Sequence, residues 1–223
     1  MYPQHEWSLH GVDIGSALFP PKAGPYASLD LREFDIRSPA PPDPSWEQSF
    51  DLVHQRLLIL GLKTPEWPKV VRNHFSLLKP GGWIQLVESQ WVDRDHPVDA
   101  AKHPNLAKMN DMQTWSSDAF GMDNFVAYRL EELLKEGGFE NVQKTQFDLR
   151  YGALAREGGW KQRSADVMVD TLRALGANLP EGGIPGVARD VGEYHAFLDK
   201  LHAEMLEHGY QPKLNFVIGQ RPD

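Results

Sequence analysis

Three consecutive side chains, His54, Gln55 and Arg56, close an apolar run that begins Phe50-Asp-Leu-Val. Together they offer a proton exchanger near neutral pH, an amide donor for a carbonyl and a planar cation for a carboxylate. Glu88 closes a second apolar run, Trp83-Ile-Gln-Leu-Val, with Gln90 and Trp91 just beyond it. If both runs are neighbouring strands, His54 and Glu88 stand at one sheet edge and predict an acid–base couple with Gln55 beside it. The alternative chemistry is an anchor, in which His54 to Arg56 cap and pack a loop and Glu88 pairs with a nearby Lys or Arg. His195 and His202 lie seven residues apart on one predicted helix face, and without a third ligand nearby no metal site is expected.

The elements that must position these groups read as an α/β alternation. Trp7 to Gly15 predicts a short strand with Asp13 at its end, and a proline-rich stretch from Ser16 to Ser49 leaves room only for a brief strand near Leu31 to Ile36. Phe50 to His54 is a buried strand that runs on into a loop or short helix through Leu60. Trp67 to Leu78 places Val70, Val71, Phe75 and Leu78 on one helical face, and Lys79-Pro-Gly-Gly82 ends that helix before the strand Trp83 to Glu88. Helices follow over Pro104 to Phe120 and Phe125 to Glu136, the second stopping at Gly137-Gly138. Two antiparallel strands, Asn141 to Tyr151 and Leu214 to Gly219, flank a helical insertion that includes Glu193 to His208. Ligands in open sheets of this kind bind at the carboxyl ends of the strands, where His54 to Arg56 and Glu88 fall.

Composition narrows the partners. The 223 residues suit a single domain over 1–223, with helical cap or insertions at about 99–136 and 156–210. Lys and Arg total 23 against 31 Asp and Glu, a formal charge of −8 that disfavours a nucleic-acid partner. No apolar run is long enough to span a membrane and no secretory pattern opens the sequence, so a cytoplasmic location is expected. The absence of cysteine removes disulfides, thiolate metal sites and cysteine nucleophiles.

Gly11-Val-Asp-Ile14, Phe50-Asp-Leu-Val-His-Gln-Arg56, Leu78-Lys-Pro-Gly-Gly-Trp-Ile-Gln-Leu-Val-Glu88 and Leu134-Lys-Glu-Gly-Gly-Phe139 resemble, in order, fungal class I methyltransferases of secondary metabolism, including the velvet-complex regulator-like group. The resemblance implies an incomplete class I methyltransferase fold, Rossmann-like and mostly parallel, with an antiparallel strand pair at the carboxyl end and a helical cap. It also implies that Asp13 accepts the ribose hydroxyls of S-adenosylmethionine and that Asp35 is the acid beside its adenine. The helical segment carrying Trp115, Phe120, Met122, Phe125 and Tyr128 would lie over the pocket, and with Arg56 and Trp91 it would hold an apolar small molecule.

One departure from the family governs the expected reaction. Such enzymes carry a glycine-rich cofactor loop after a first strand, yet only ten residues precede Gly11 and none of them is glycine. A further strand and helix, roughly thirty residues, would be needed there. The expectation is therefore an enzyme working without S-adenosylmethionine, which folds and polarises an apolar intermediate for a pericyclic or other cyclisation or an isomerisation. Alternatives are a methyltransferase with an incomplete or clipped cofactor site, and a non-catalytic partner of a complete methyltransferase. Without the central first strand two sheet edges stay open, so either Leu9 to Ile14 closes against Phe50 to His54 or a second chain, forming a homodimer, covers the gap.

Overall fold

The structure is a computed structural model that describes residues 7–176 and 179–223. Among the described residues six strands form two sheets. β1 (His10–Asp13) pairs in parallel with β2 (Asp30–Glu33), and a second sheet runs in the order β3 (Phe50–Arg56), β4 (Leu78–Ser89), β6 (Lys213–Gln220), β5 (Glu140–Asp148). β3 and β4 are parallel, whereas β6 is antiparallel to both of its neighbours. β1 therefore does not close against β3, and among the described residues each has one free edge.

The described residues also form five α-helices, α1 (Trp67–Leu77), α2 (Pro104–Phe120), α3 (Val126–Glu136), α4 (Trp160–Leu175) and α5 (Val191–His208). α1 buries Trp67, Val70, Val71 and His74, and α3 buries Val126, Ala127, Leu130, Leu133 and Leu134. They pack on each other and on the sheet face formed by Gln55, Ile84, Leu86, Glu88, Asn215 and Val217. α4 and α5 pack together, and α2 packs on α5, making a helical layer apart from α1. α4 was not singled out by the sequence reading, although Ala165, Met168, Val169 and Leu172 stand at helical spacing and are buried.

The Lys79-Pro-Gly-Gly82 segment is not a separate turn. α1 passes directly into β4, and the four residues make an irregularity in the ladder, with Phe50 opposite Leu78 but Leu52 opposite Trp83. Gly81 has φ +74, and a Cβ on Gly82 would lie 2.9 Å from the Lys79 carbonyl oxygen and 3.1 Å from that of Phe50. The glycines let the chain double past β3 without a clash. The other face of the sheet carries Leu52, His54 and Arg56, all exposed, with Gln85 half-buried.

Candidate functional site

Strand alternation divides the predicted residues between two faces. His54 stands opposite Gln85 and Arg56 opposite Val87, whereas Gln55 stands opposite Leu86, on the face that also carries Glu88. His54 and Glu88 are therefore not an acid–base couple, because the two side chains leave the sheet in opposite directions. His54 instead bonds through Nδ1 to Gln85 Oε1 at 2.9 Å, and Arg56 is exposed.

Glu88 is fully buried and accepts hydrogen bonds from the backbone N–H groups of Leu58 at 2.7 Å and Ile59 at 3.2 Å. Burial pushes its carboxyl up to about 7, against the opposing pull of those two bonds and of the nearby Gln55 amide. The carboxyl thus holds the loop after β3, where Leu57 takes φ 56 and bonds to Val87. His74 of α1, which the sequence reading missed, donates from Nε2 to Gln55 Oε1 at 2.8 Å, and burial lowers its pKa to about 4, keeping the ring neutral. The Gln55 amide nitrogen is buried near the Glu88 carboxyl, yet among the described residues it makes no hydrogen bond of standard geometry.

A second polar group lies beneath the α2–α3 connection. Gln113 and Asn124 are buried, and among the described residues neither Gln113 Oε1, Gln113 Nε2 nor Asn124 Oδ1 makes a hydrogen bond of standard geometry. Asn124 Nδ2 donates to the Gln113 carbonyl, which also accepts from Ser116 Oγ at 2.6 Å. Burial pushes Tyr210 well above the usual phenol range; its hydroxyl approaches the Gln113 amide, which pulls the other way without a hydrogen bond of standard geometry between them, and Tyr151 stacks on its ring at 6.0 Å. The signal for Gln113 was present in the sequence. It follows Met109 and Met112 and precedes Ser116 on the buried face of α2, where an apolar residue is the default.

The predicted cap residues each have contacts of their own. Trp115 packs edge-on against Phe120 at 5.5 Å, Met122 bridges to Lys63, and Phe125 is exposed. Tyr128 bonds to the Arg94 N–H at 3.2 Å and to Asp93 at 3.4 Å, with the Arg94 guanidinium 4.1 Å above its ring; burial first, then the acids, raise it to about 12. Trp91 is buried, and its indole N–H has no partner among the described residues.

Of the two acids implied for S-adenosylmethionine, Asp13 fits and Asp35 does not. Asp13 stands exposed at the carboxyl end of β1, one oxygen accepting from Gly15 N at 3.1 Å and the other without a partner among the described residues. Asp35 is held by Arg37, which donates from its backbone and from two guanidinium nitrogens at 2.8 to 3.1 Å; the Arg37 bonds hold the carboxyl below its usual range.

The order of strands and helices defines a class I methyltransferase fold. Phosphoethanolamine N-methyltransferase 2 from Haemonchus contortus shares that fold at a TM-score of 0.50, with 14% identity over 97% of this chain and 44% of its own. No model of a known protein family matches the sequence. Among curated proteins it is similar to N-methyltransferase sirN of Leptosphaeria maculans, 30% identical over 73% of this chain and 60% of that protein. N-methyltransferase gliN of Aspergillus fumigatus is 26% identical over 96% of the chain and 74% of its own length. The secondary metabolism regulator laeA of Gibberella zeae is 29% identical over 61% and 42%. The chain thus spans less than two thirds of sirN. It is related to the fungal methyltransferase-like family of secondary metabolism that its motifs resemble.

Proposed function

We propose that this chain serves fungal secondary metabolism as a small-molecule enzyme, whose substrate is an apolar, nitrogen-bearing intermediate held beneath α2 and α3 beside the carboxyl end of β4. The observation that carries the reading is the buried pair Gln113 and Asn124, three of whose amide atoms make no standard hydrogen bond among the described residues. Buried polar groups left unmatched cost roughly 1–3 kcal/mol each, a strain that a complementary ligand relieves. The free oxygens of Gln113 and Asn124 accept from a substrate N–H, and Gln113 Nε2 donates to a substrate carbonyl. Trp115, Phe120, Met122 and Phe125 supply apolar walls against water.

The relatives' names favour N-methyl transfer as the reaction. S-adenosylmethionine, when bound, supplies an electrophilic methyl group; Asp13 would hold its ribose, and this chain's amides would orient the accepting nitrogen. The Arg37–Asp35 pair favours a second reading. An acid already saturated by a guanidinium is not offered to an adenine, and in that reading the chain uses no cofactor and the same donors polarise a substrate for cyclisation or isomerisation. Calorimetric titration with S-adenosylmethionine separates the two. Saturable heat that weakens at least about tenfold in Asp13→Asn supports methyl transfer. No heat at millimolar cofactor leaves the cofactor-free reaction standing. In either case Gln113→Leu is expected to weaken capture of the intermediate, and unchanged turnover in that variant removes the proposed pocket.

A further inference from the structure

A cleft of about 850 Å³ opens where the end of β5, the start of β6 and the first turn of α4 meet, away from Gln113 and Asn124. Its walls include two aromatic rings, Phe147 and Trp160, each about half exposed at 52% and 51%. Phe147 is held edge-on by Phe216 at 5.1 Å, and the Arg163 guanidinium lies 5.0 Å from the Trp160 ring centre, so both rings are fixed from outside the cleft. Large aromatic surfaces left open around one concavity mark a ligand site more often than a bare surface.

Charge distinguishes this cleft from the rest of the molecule. The chain carries −8 overall, yet Arg150, Arg156 and Lys213 line the cleft against the acids Asp148 and Glu157. Lys213 donates to Asp148, whose carboxyl is held below its usual range chiefly by that bond, and Arg150 stands 3.8 Å from the same acid. Arg156 makes no ion pair among the described residues and acts on Asp148 only through its field. One guanidinium is therefore left free beside two open rings, in a fork geometry suited to a carboxylate.

We propose that this cleft binds a small aromatic carboxylate, with its ring between Phe147 and Trp160 and its anion on Arg156. The reading is independent of the pocket beneath α2 and α3. It is tested by calorimetry with indole-3-acetate as the probe, set against indole and acetate as its two halves. The expected dissociation constant is on the order of 0.1–1 mM for so open a site. Each half is expected to bind at least about tenfold more weakly, and Arg156→Gln and Trp160→Ala are each expected to weaken the probe by a similar factor. Gln113→Leu should leave it unchanged. Failure to saturate by about 10 mM, equal binding by both surface variants and the parent chain, or loss of binding in Gln113→Leu overturns the assignment.

Discussion

Glu88 and His74 are two buried ionisable groups whose burial acts in opposite directions on stability. The Glu88 carboxyl rises from 4.5 to about 7, so folding takes up a proton between those values and stability falls as pH climbs through that window. The His74 imidazole falls from 6.5 to about 4, so folding releases a proton there and stability falls as pH drops through the window. Each difference corresponds to roughly 3 kcal/mol at most, and over the shared range the two slopes largely cancel. Glu88→Gln is accordingly expected to gain stability relative to the parent chain as pH rises from about 5 to about 8, measured by urea unfolding at several pH values. A difference that stays constant with pH would mean that the carboxyl is not neutral in the folded chain. The sequence made Glu88 legible as an ionisable group at a strand end, but not its role, because face assignment needs the register between β3 and β4. Gln55 and His74 meet across nineteen residues of chain, a contact no local pattern encodes.

At the scale of elements, the cap helices are held by contacts from elsewhere in the chain. α2 opens without a side-chain cap of its own, and its first amides are satisfied by Glu204 of α5, which accepts from Asn105 N at 3.0 Å, Asn105 Nδ2 at 2.6 Å and Leu106 N at 3.0 Å. Glu204→Ala leaves three donors unmatched and is expected to destabilise by about 2–3 kcal/mol, with the first turn of α2 the earliest to lose amide protection in hydrogen exchange. Gly152, in the short turn between β5 and α4, has φ +62, and a Cβ there would lie 1.9 Å from the Met205 carbonyl oxygen. Gly152→Ala should cost several kcal/mol, on the order of the largest single substitutions, and a melting temperature within a degree or two of the parent chain's would refute that packing. Helices and strands with strong periodicity were legible: α1, α2, α3 and α5 fall within a few residues of their predicted spans. β2 ends at Glu33 rather than Ile36, and β5 at Asp148 rather than Tyr151, because proline-rich and turn residues set those ends through tertiary contacts.

For the molecule as a whole, the decisive fact is that β1 and β3 each have an edge left unpaired among the described residues. Strand edges with free N–H and C=O groups invite pairing, and here the flanking side chains add apolar surface: Leu9 and Ile14 around β1, Leu52 and Leu57 in and after β3, all at least about half exposed. The sequence reading anticipated both edges from the order of elements, and of closure within the chain and cover by a second copy it favoured the second. The coordinates remove the first option for β1 and β3. We propose the second, a homodimer in which these edges are covered by the equivalent region of another copy. A symmetric contact makes the dimer concentration-dependent, so sedimentation should show a mass near twice 25.3 kDa at micromolar protein that falls towards the monomer on dilution. Leu52→Lys places a charge on the open face of β3 without touching the buried face, and is expected to shift the equilibrium towards monomer by at least about tenfold while the melting curve of the diluted chain stays in place. A monomer at every concentration in the parent chain would refute the dimer.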